Sequence, residues 1–376
     1  VTGLSAAERS RYSRHLSLEE IGLAGQLTLR AARVLIVGTG GLGSPASLYL
    51  AAAGVGTIGL VDCDRVDASN LQRQVLFDTA TVGQLKTLAA RERLLAINPH
   101  VVVHAHQVEL CAANVRALFE DYDLVLDGSD RVSTRYLVND ACVLYAKPLV
   151  SAAIHRFEGQ AMSYVPGRAP CYRCLFPESA EGQLPSCAAT GVLGVLPGVL
   201  GSLQATEAIK LLLGIGEPLL GRLLTYDALA LRFSEFRFQR RSDCAVCGEH
   251  PSITAPLDPR GFCTAAELAQ VPELTPAQLA ATLRQATPGI CLIDVREAGE
   301  FAAGHLSAAI NLPLRELEQD ASRIPRAGAP VFVCRSGTRS RRACALALRA
   351  GFGDARALAG GLLAWRESEE SSLALR

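Results

Sequence analysis

Residues Gly38-Thr39-Gly40-Gly41-Leu42-Gly43 fit the spacing G-x-G-x-x-G and stand between two segments of different character. Before them, Arg33–Val37 is an apolar run that reads as a buried strand. After them, Ser44–Ala53 is rich in small residues and reads as a helix. A second strand follows over Thr57–Asp62. Strand, helix and strand in such short order form a βαβ unit, which requires a parallel sheet. Glycines at these positions let backbone amides approach a phosphate, and the N-terminus of the following helix favours its negative charge. Asp62 ends the second strand, where an acid that binds a ribose belongs. Taken alone, the pattern indicates a nucleotide or a dinucleotide, so an NAD-dependent oxidoreductase remains open at this point.

The alternation continues along the chain. Val82–Ile97 reads as helix, Val101–His106 as extended, Cys111–Glu120 as helix, Tyr122–Asp127 as strand and Leu203–Leu213 as helix. Between His250 and Pro276 prolines punctuate the sequence, and a linker is expected over 251–272. A smaller α/β pattern follows, with helices over Ala277–Gln285 and Ser340–Ala350 and strands over Ile290–Val295 and Val331–Cys334. A length of 376 residues suits two such domains, 1–250 and 273–376. Acidic and basic residues balance at 37 each, so no charge excess points to nucleic acid or an anionic membrane. The start of the sequence lacks a signal-peptide pattern, and the Gly191–Gly201 stretch is too broken by glycines and Pro197 to span a bilayer. The expectation is a soluble, cytoplasmic protein. In a reducing compartment its twelve cysteines point to metal binding or catalysis more than to disulfides.

The segment after Asp62 narrows the choice of nucleotide. Asp64, Ser69, Asn70, Arg73, Gln74 and Lys86 form a polar, partly cationic stretch for which hydride transfer has little use. A triphosphate does use it: Arg73 can fork two phosphate oxygens, and Lys86 can act as a point charge. The plainer reading of a lone lysine here is a solvated helix face.

These residues also carry a family resemblance. Val37–Gly43, Ser69-Asn70-Leu71-Gln72-Arg73-Gln74 and Val82–Lys86 resemble the ubiquitin-activating-type adenylyltransferases of molybdopterin and thiamin biosynthesis, the MoeB/ThiF family. Arg11-Tyr12-Ser13-Arg14-His15 resembles their N-terminal Arg-Tyr-x-Arg segment, and Asp127-Gly128-Ser129-Asp130 their Asp-x-x-Asp turn. The resemblance implies a Rossmann-like α/β adenylation domain with a mostly parallel sheet. It implies ATP at Gly38, Gly40, Gly41 and Asp62, with Asp64, Ser69 and Gln74 alongside. Phosphates would be held by Asn70, Arg73 and Lys86, and Mg²⁺ by Asp130. Arg14 would reach the phosphates from the neighbouring subunit of a homodimer. Arg131 stands where the family usually has asparagine, which puts a nucleotide contact from that position in doubt.

Cys171-x-x-Cys174 and Cys244-x-x-Cys247 are two C-x-x-C pairs. Such pairs read as a four-thiolate Zn²⁺ site, with a redox pair as the alternative. The resemblance extends over both and implies a structural metal. Cys187 sits in a glycine- and proline-rich stretch. The resemblance places there a loop cysteine that attacks the activated carrier or resolves a disulfide, and a merely buried thiol is the competing reading. Cys63, Cys111, Cys142, Cys263, Cys291 and Cys344 read as packing residues, and His104 and His106 as a polar strand face.

In the C-terminal part, Asp294-Val295-Arg296, Glu300-Phe301, Gly304-His305-Leu306, Val333-Cys334-Arg335-Ser336-Gly337-Thr338-Arg339 and Gly360–Trp365 together resemble a single-domain rhodanese, a smaller α/β domain. Cys334 ends a strand just before a helix. Backbone amides, the helix N-terminus and Arg335 and Arg339 favour a thiolate or persulfide there. Phosphatases of related fold place their arginine six positions after the cysteine. Here Arg339 is five after Cys334, which suits sulfur better than a phosphoryl group.

Joined, the two resemblances imply a sulfur-transfer enzyme. It would adenylate a ubiquitin-like sulfur carrier protein ending in Gly-Gly and deliver sulfur from a Cys334 persulfide. The sulfur donor would be thiosulfate or the persulfide of a cysteine desulfurase. Molybdopterin, thiamin, tRNA thiolation, cysteine and secondary metabolites are all pathways open to it. The alternative from another class is a nucleotide-binding scaffold with a sulfide-sensing rhodanese module.

Overall fold

The strand that ends at the glycine motif lies in the middle of the larger of two sheets. The structure, a computed structural model, describes residues 3–177, 191–258, 265–284 and 289–368. These divide into two compact units, 3–258 and 265–368.

The first unit opens with helices α1 (Ala6–Arg11), α2 (Ser13–Leu16) and α3 (Gly22–Ala31). There follow β1 (Arg33–Val37), α4 (Gly43–Ala53), β2 (Thr57–Val61), α5 (Lys86–Ile97), β3 (Val102–His106), α6 (Val115–Glu120) and β4 (Leu124–Asp127). Then come α7 (Val132–Leu144), β5 (Leu149–His155), β6 (Glu158–Tyr164), α8 (Tyr172–Leu175), α9 (Leu196–Leu213), β7 (Arg222–Asp227) and β8 (Arg232–Arg237). The sheet order is β3-β2-β1-β4-β5-β6-β7-β8. The pairs from β3 to β5 are parallel and those from β5 to β8 antiparallel. β1 pairs with β2 on one side and β4 on the other, so the chain reverses its winding direction there. The crevice beyond the strand C-termini at such a point is where α/β sheets bind ligands.

Side-chain alternation explains why the central strands are apolar throughout. Val34, Ile36, Ile58 and Leu60 pack on one face with Leu29, Leu50 and Leu94. Leu35, Val37 and Val125 pack on the other with Phe119 and Leu137. A strand covered on both faces has no polar side to show.

Several boundaries differ from the sequence expectation. α5 begins at Lys86, because Gly83 takes φ +87° and its N–H bonds to the Val66 carbonyl in a turn. α6 begins at Val115, because the Asn114 side chain accepts the Cys111 N–H and closes a turn ahead of it. α9 reaches back to Leu196, with Pro197 in its first turn, where a missing N–H leaves no bond unmade. β5 to β8 and α7 were not foreseen. The hairpin turns place Arg156 (φ 52°) and Leu231 (φ 49°) in the left-handed region, where glycine or asparagine is the usual marker.

The second unit contains α10 (Ala265–Ala269), β9 (Glu273–Leu274), α11 (Pro276–Leu283), β10 (Ile290–Asp294), α12 (Ala298–Ala302) and β11 (Ile310–Asn311). It continues with α13 (Leu314–Gln319), β12 (Ala329–Val333), α14 (Thr338–Arg349), β13 (Arg356–Leu358) and α15 (Gly361–Glu367). The sheet, β11-β10-β12-β13-β9, is parallel throughout. Phe332 and Ile293 face one core, and Val331, Val333 and Leu292 face another around Trp365. Parts of the stretch read as linker are thus structured. Ile253 N–H bonds to the Ala245 carbonyl and Asp258 accepts the Ala112 N–H within the first unit, while α10 belongs to the second. Among the described residues no helix is long and apolar enough to cross a membrane.

Candidate active site

The loops that follow β1 and β4 touch, and glycine is what allows it. A Cβ on Gly38, which has φ +87°, would lie 2.9 Å from the Gly128 carbonyl oxygen, and one on Gly43 would run into the Gly38 carbonyl. Asp62 ties the glycine loop to β2. One carboxylate oxygen accepts both the N–H and the hydroxyl of Thr39 at 2.9 Å, and the other accepts the Asp64 N–H at 2.9 Å. Gly40 faces Gln74, which is buried with its Oε1 unpartnered, and Gly41 faces Pro197 and the Arg73 stem.

Lys86 is the first residue of α5 and its side chain is only 7% exposed, so it is no solvated helix face. Its Nζ lies 3.0 Å from Asp64 Oδ2. Burial disfavours its charge, but Asp62, Asp64 and Asp130 outweigh burial and raise its pKa. Asp62 shows the converse: burial pushes its carboxyl up, while Lys86 opposes the shift. Arg73 donates to Asn70 Oδ1 at 2.8 Å and to the Ser69 carbonyl, and Ser69 is capped by Asp67.

The two acids of the β4 turn are not equivalent. Asp127 is fully buried and both its oxygens are engaged. Oδ1 accepts the Ser129 N–H and hydroxyl, and Oδ2 accepts the Ser151 hydroxyl at 3.0 Å with Arg135 3.4 Å away. Asp130 is exposed at the end of the turn. Arg135 and Gln204 complete the frame, donating to the carbonyls of Ser129 and Asp127. Neither was singled out from sequence. Arg131 is turned to Glu109 at 2.8 Å. Arg14 is exposed on α2, and no contact among the described residues links it to this group. Cys187 and Cys263 lie outside the described residues.

The two C-x-x-C pairs meet. Cys171, Cys174, Cys244 and Cys247 place their sulfurs within 4.8 Å of one another, with pairs at 4.0, 3.6 and 3.4 Å. Four thiolates bonded tetrahedrally at about 2.3 Å to Zn²⁺ would have sulfurs about 3.8 Å apart, so the set fits that ion. Disulfide sulfurs would be about 2 Å apart. The side chains of α7 hold the first pair in place. Asn139 accepts the Tyr172 N–H, and Asp140 binds Arg173 bidentately at 2.7 and 2.8 Å. Of the other described cysteines, Cys111, Cys142 and Cys344 are buried and Cys291 is partly so. Cys63, expected to pack, is exposed at the end of β2. His104 and His106 both approach the Tyr122 hydroxyl.

In the second unit Cys334 follows β12 and is buried at the base of a tight loop. Its sulfur accepts the Ser340 N–H at 3.3 Å and lies 3.5 Å from the Ser340 hydroxyl. Gly337 turns the loop at φ +91° and caps α14. A Cβ on Gly361 would strike the Cys334 carbonyl, so the Gly360-Gly361 pair allows close packing behind the loop. Arg339, in the first turn of α14, donates to both oxygens of Glu300 at 2.6 and 2.8 Å.

A nucleotide-type crevice in one unit and a cysteine loop at a helix N-terminus in the other define a nucleotide-binding unit joined to a unit that presents a thiol. Residues 12–246 match the ThiF family and residues 275–368 the rhodanese-like domain. The chain is 44% identical to the probable adenylyltransferase/sulfurtransferase MoeZ of Mycobacterium tuberculosis, over 100% of this chain and 97% of that protein. It is 39% identical to the adenylyltransferase and sulfurtransferase MOCS3 of Aedes aegypti, over 97% and 88%. To the sulfur carrier protein adenylyltransferase of Thermus thermophilus it is 51% identical, over 68% of this chain and 97% of that one. A crystal structure of E. coli MccB with ATP superposes with a TM-score of 0.56 at 26% identity, over 63% of this chain and 74% of that one. The chain therefore belongs to the ThiF family, in its adenylyltransferase/sulfurtransferase branch that carries a C-terminal rhodanese-like domain. This replaces the NAD-dependent oxidoreductase and the scaffold as readings of the two units.

Proposed function

We propose that the first unit adenylates the C-terminal glycine of a ubiquitin-like sulfur carrier protein, and that the second supplies the sulfur that turns it into a thiocarboxylate. The observation that supports this best is Lys86: a buried ammonium beside Asp64, with Asp62 tying the glycine loop to the same strand end, offers a polyphosphate a fixed positive charge. The carrier's carboxylate oxygen attacks the α-phosphorus of ATP, and the bond to the bridging oxygen breaks as pyrophosphate leaves. Lys86, Arg73 and Asn70 hold the phosphates, Asp62 the ribose, and Gly38, Gly40 and Gly41 admit the chain of phosphates, with Asp64, Ser69 and Gln74 around them. Asp130, the exposed acid of its turn, would hold Mg²⁺, which neutralises phosphate charge when bound. Arg14 completes the site from the second subunit of a homodimer. Arg131 is assigned to Glu109 rather than to the nucleotide, on the strength of their 2.8 Å bond.

Cys334 attacks the sulfane sulfur of thiosulfate or of a desulfurase persulfide, and the donor leaves with the electron pair of the broken S–S bond. The resulting persulfide attacks the acyl-adenylate, expelling AMP and forming an acyl disulfide. Cys187 is the thiol proposed to release the thiocarboxylate, by attacking the Cys334 sulfur of the acyl disulfide and leaving a Cys187–Cys334 disulfide for an external thiol to reduce, or to hold the carrier earlier as a thioester that expels AMP. The working division is 1–250 and 273–376, joined over 251–272 by a stretch whose two ends belong to their own units, in a cytoplasmic enzyme. ATP–pyrophosphate exchange tests the first half. Exchange that depends on a carrier ending in Gly-Gly is expected, and its absence with every such carrier sinks the reading.

The four cysteines are proposed to hold Zn²⁺ as a closed structural site, pinning α8 to the segment after β8. Cys171→Ser should lose the bound zinc and lower Tm by roughly 10 °C, from a loss of about 3–4 kcal/mol. Metal content by mass spectrometry and a thermal melt check this. Full zinc occupancy in the variant would show that Cys171 is not a ligand.

A further inference from the structure

The sulfur-accepting loop is less cationic than its sequence implies. Arg339 lies five residues after Cys334, in the first turn of α14 and next to Ser340, whose N–H bonds to the Cys334 sulfur at 3.3 Å. Its guanidinium is nevertheless held end-on by Glu300, with two charge-assisted hydrogen bonds from Nη1 and Nη2 of 2.6 and 2.8 Å. Glu300 is itself fixed, because Oε2 also accepts the Glu297 N–H in the capping box of α12. Burial disfavours the Glu300 carboxylate, but Arg339 keeps it ionised, below its ordinary pKa. The two side chains are only 33% and 36% exposed, so water screens the pair incompletely. Nearby Arg296 is matched in the same way, by three bonds to Asp294 of 2.6 to 3.0 Å and one to the Gly304 carbonyl.

This matters because candidate donors differ in charge. Thiosulfate arrives as a dianion. When the Cys334 thiolate takes its outer sulfur, the S–S bond breaks and sulfite leaves with the electron pair, still doubly negative. A cysteine persulfide passes on the same sulfur atom and leaves as a single thiolate. A loop whose arginine is already answered by a fixed carboxylate gives up attraction for the first donor and little for the second.

We propose that Glu300 is a specificity-determining residue of the sulfurtransferase unit: by occupying the Arg339 fork it turns the loop away from small dianionic donors and toward a persulfide carried on a cysteine thiol. The inference rests on the reading of Cys334 as the sulfur-accepting residue. It reaches beyond that reading by naming the donor class and the residue that sets it.

The test uses the full chain and sulfur transfer to cyanide, with thiosulfate and with cysteine persulfide as the two donors. Glu300→Gln is expected to raise the ratio of kcat/KM for thiosulfate over persulfide by about five- to tenfold, mainly through a lower thiosulfate KM. The gain should shrink as salt rises from about 0.05 to about 0.5 M, which shortens the Debye length roughly threefold. Glu300→Ala, which also removes the charge, must move the ratio the same way, and Glu300→Asp must leave it near wild type. An unchanged ratio in both charge-removing variants, or equal losses on both donors, overturns the proposal and leaves Glu300 a holder of loop shape. Cys334→Ala separates the two levels. Wild-type transfer that survives it overturns the underlying reading and this inference with it. Transfer that is lost with Cys334, but whose donor ratio ignores Glu300, overturns this inference alone.

Discussion

Lys86→Met lowers ATP–pyrophosphate exchange by roughly a hundred- to a thousandfold, the range seen when one preorganised electrostatic group is removed from an active site. Methionine keeps most of the apolar stem, so the packing of the first turn of α5 survives, and the backbone bond from Lys86 N–H to the Asp64 carbonyl is untouched. The charge has no substitute. Arg73, the other cation proposed to hold phosphate, is anchored on Asn70 and the Ser69 carbonyl and does not fill the buried position beside Asp64. Asp62 and Asp64 would face the triphosphate without their counter-charge, so KM for ATP rises as kcat falls. Lys86→Arg should rescue poorly, because a planar fork does not fit a buried slot shaped for a point charge. The same variant, Lys86→Met, carries a pH signature. Burial already raises the Asp62 carboxyl and Lys86 holds it back, so removing Lys86 raises it further. A carboxyl raised in the folded state binds more protons there than in the unfolded chain, so stability falls as pH rises through that window. Lys86→Met should therefore melt closer to wild type near pH 5 than near pH 8. Exchange within about threefold of wild type would remove Lys86 from the phosphate site.

Cys334→Ala abolishes thiosulfate:cyanide sulfur transfer, by a factor on the order of a thousand or more, and leaves ATP–pyrophosphate exchange within about twofold. The nucleophile is lost outright, whereas the structural cost is small. The sulfur is buried, and alanine gives up its contacts with the Ser340 N–H and hydroxyl and the packing of one sulfur atom in the core. The second unit has its own sheet and its own cores, so the adenylation unit has no reason to respond. Loss of both activities in one variant would argue that the units do not work independently.

The glycine crevice was legible because its chemistry is written in residues with one physical use. Gly38 and Gly43 are required where two loops come closer than a side chain allows, and the loop closes on Gly128 of the β4 turn. Cys334 was legible for a similar reason: a glycine at φ +91° and a helix start stand just behind it. The antiparallel half of the first sheet was not, because Arg156 and Leu231 turn its hairpins without the usual residue types. The burial of Lys86 was hidden because it depends on Asp62 and Asp64 arriving from a different strand end. The inequality of Asp127 and Asp130 was hidden too, since it is set by Ser151 and Arg135 on β5 and α7. Glu300 appeared in the sequence only as part of a motif. Its partner is 39 residues away, and no local pattern joins the two.

Activation of a carrier and delivery of sulfur to it by one chain can be read in a single product. The direct measurement is intact-mass spectrometry of a Gly-Gly-ended carrier after incubation with the enzyme, ATP, Mg²⁺ and a sulfur donor. The expected product is a carrier whose terminal carboxylate has exchanged one oxygen for sulfur, dependent on both Lys86 and Cys334. Carrier adenylate that accumulates and never becomes thiocarboxylate, with the donor present and Cys334 intact, would contradict it.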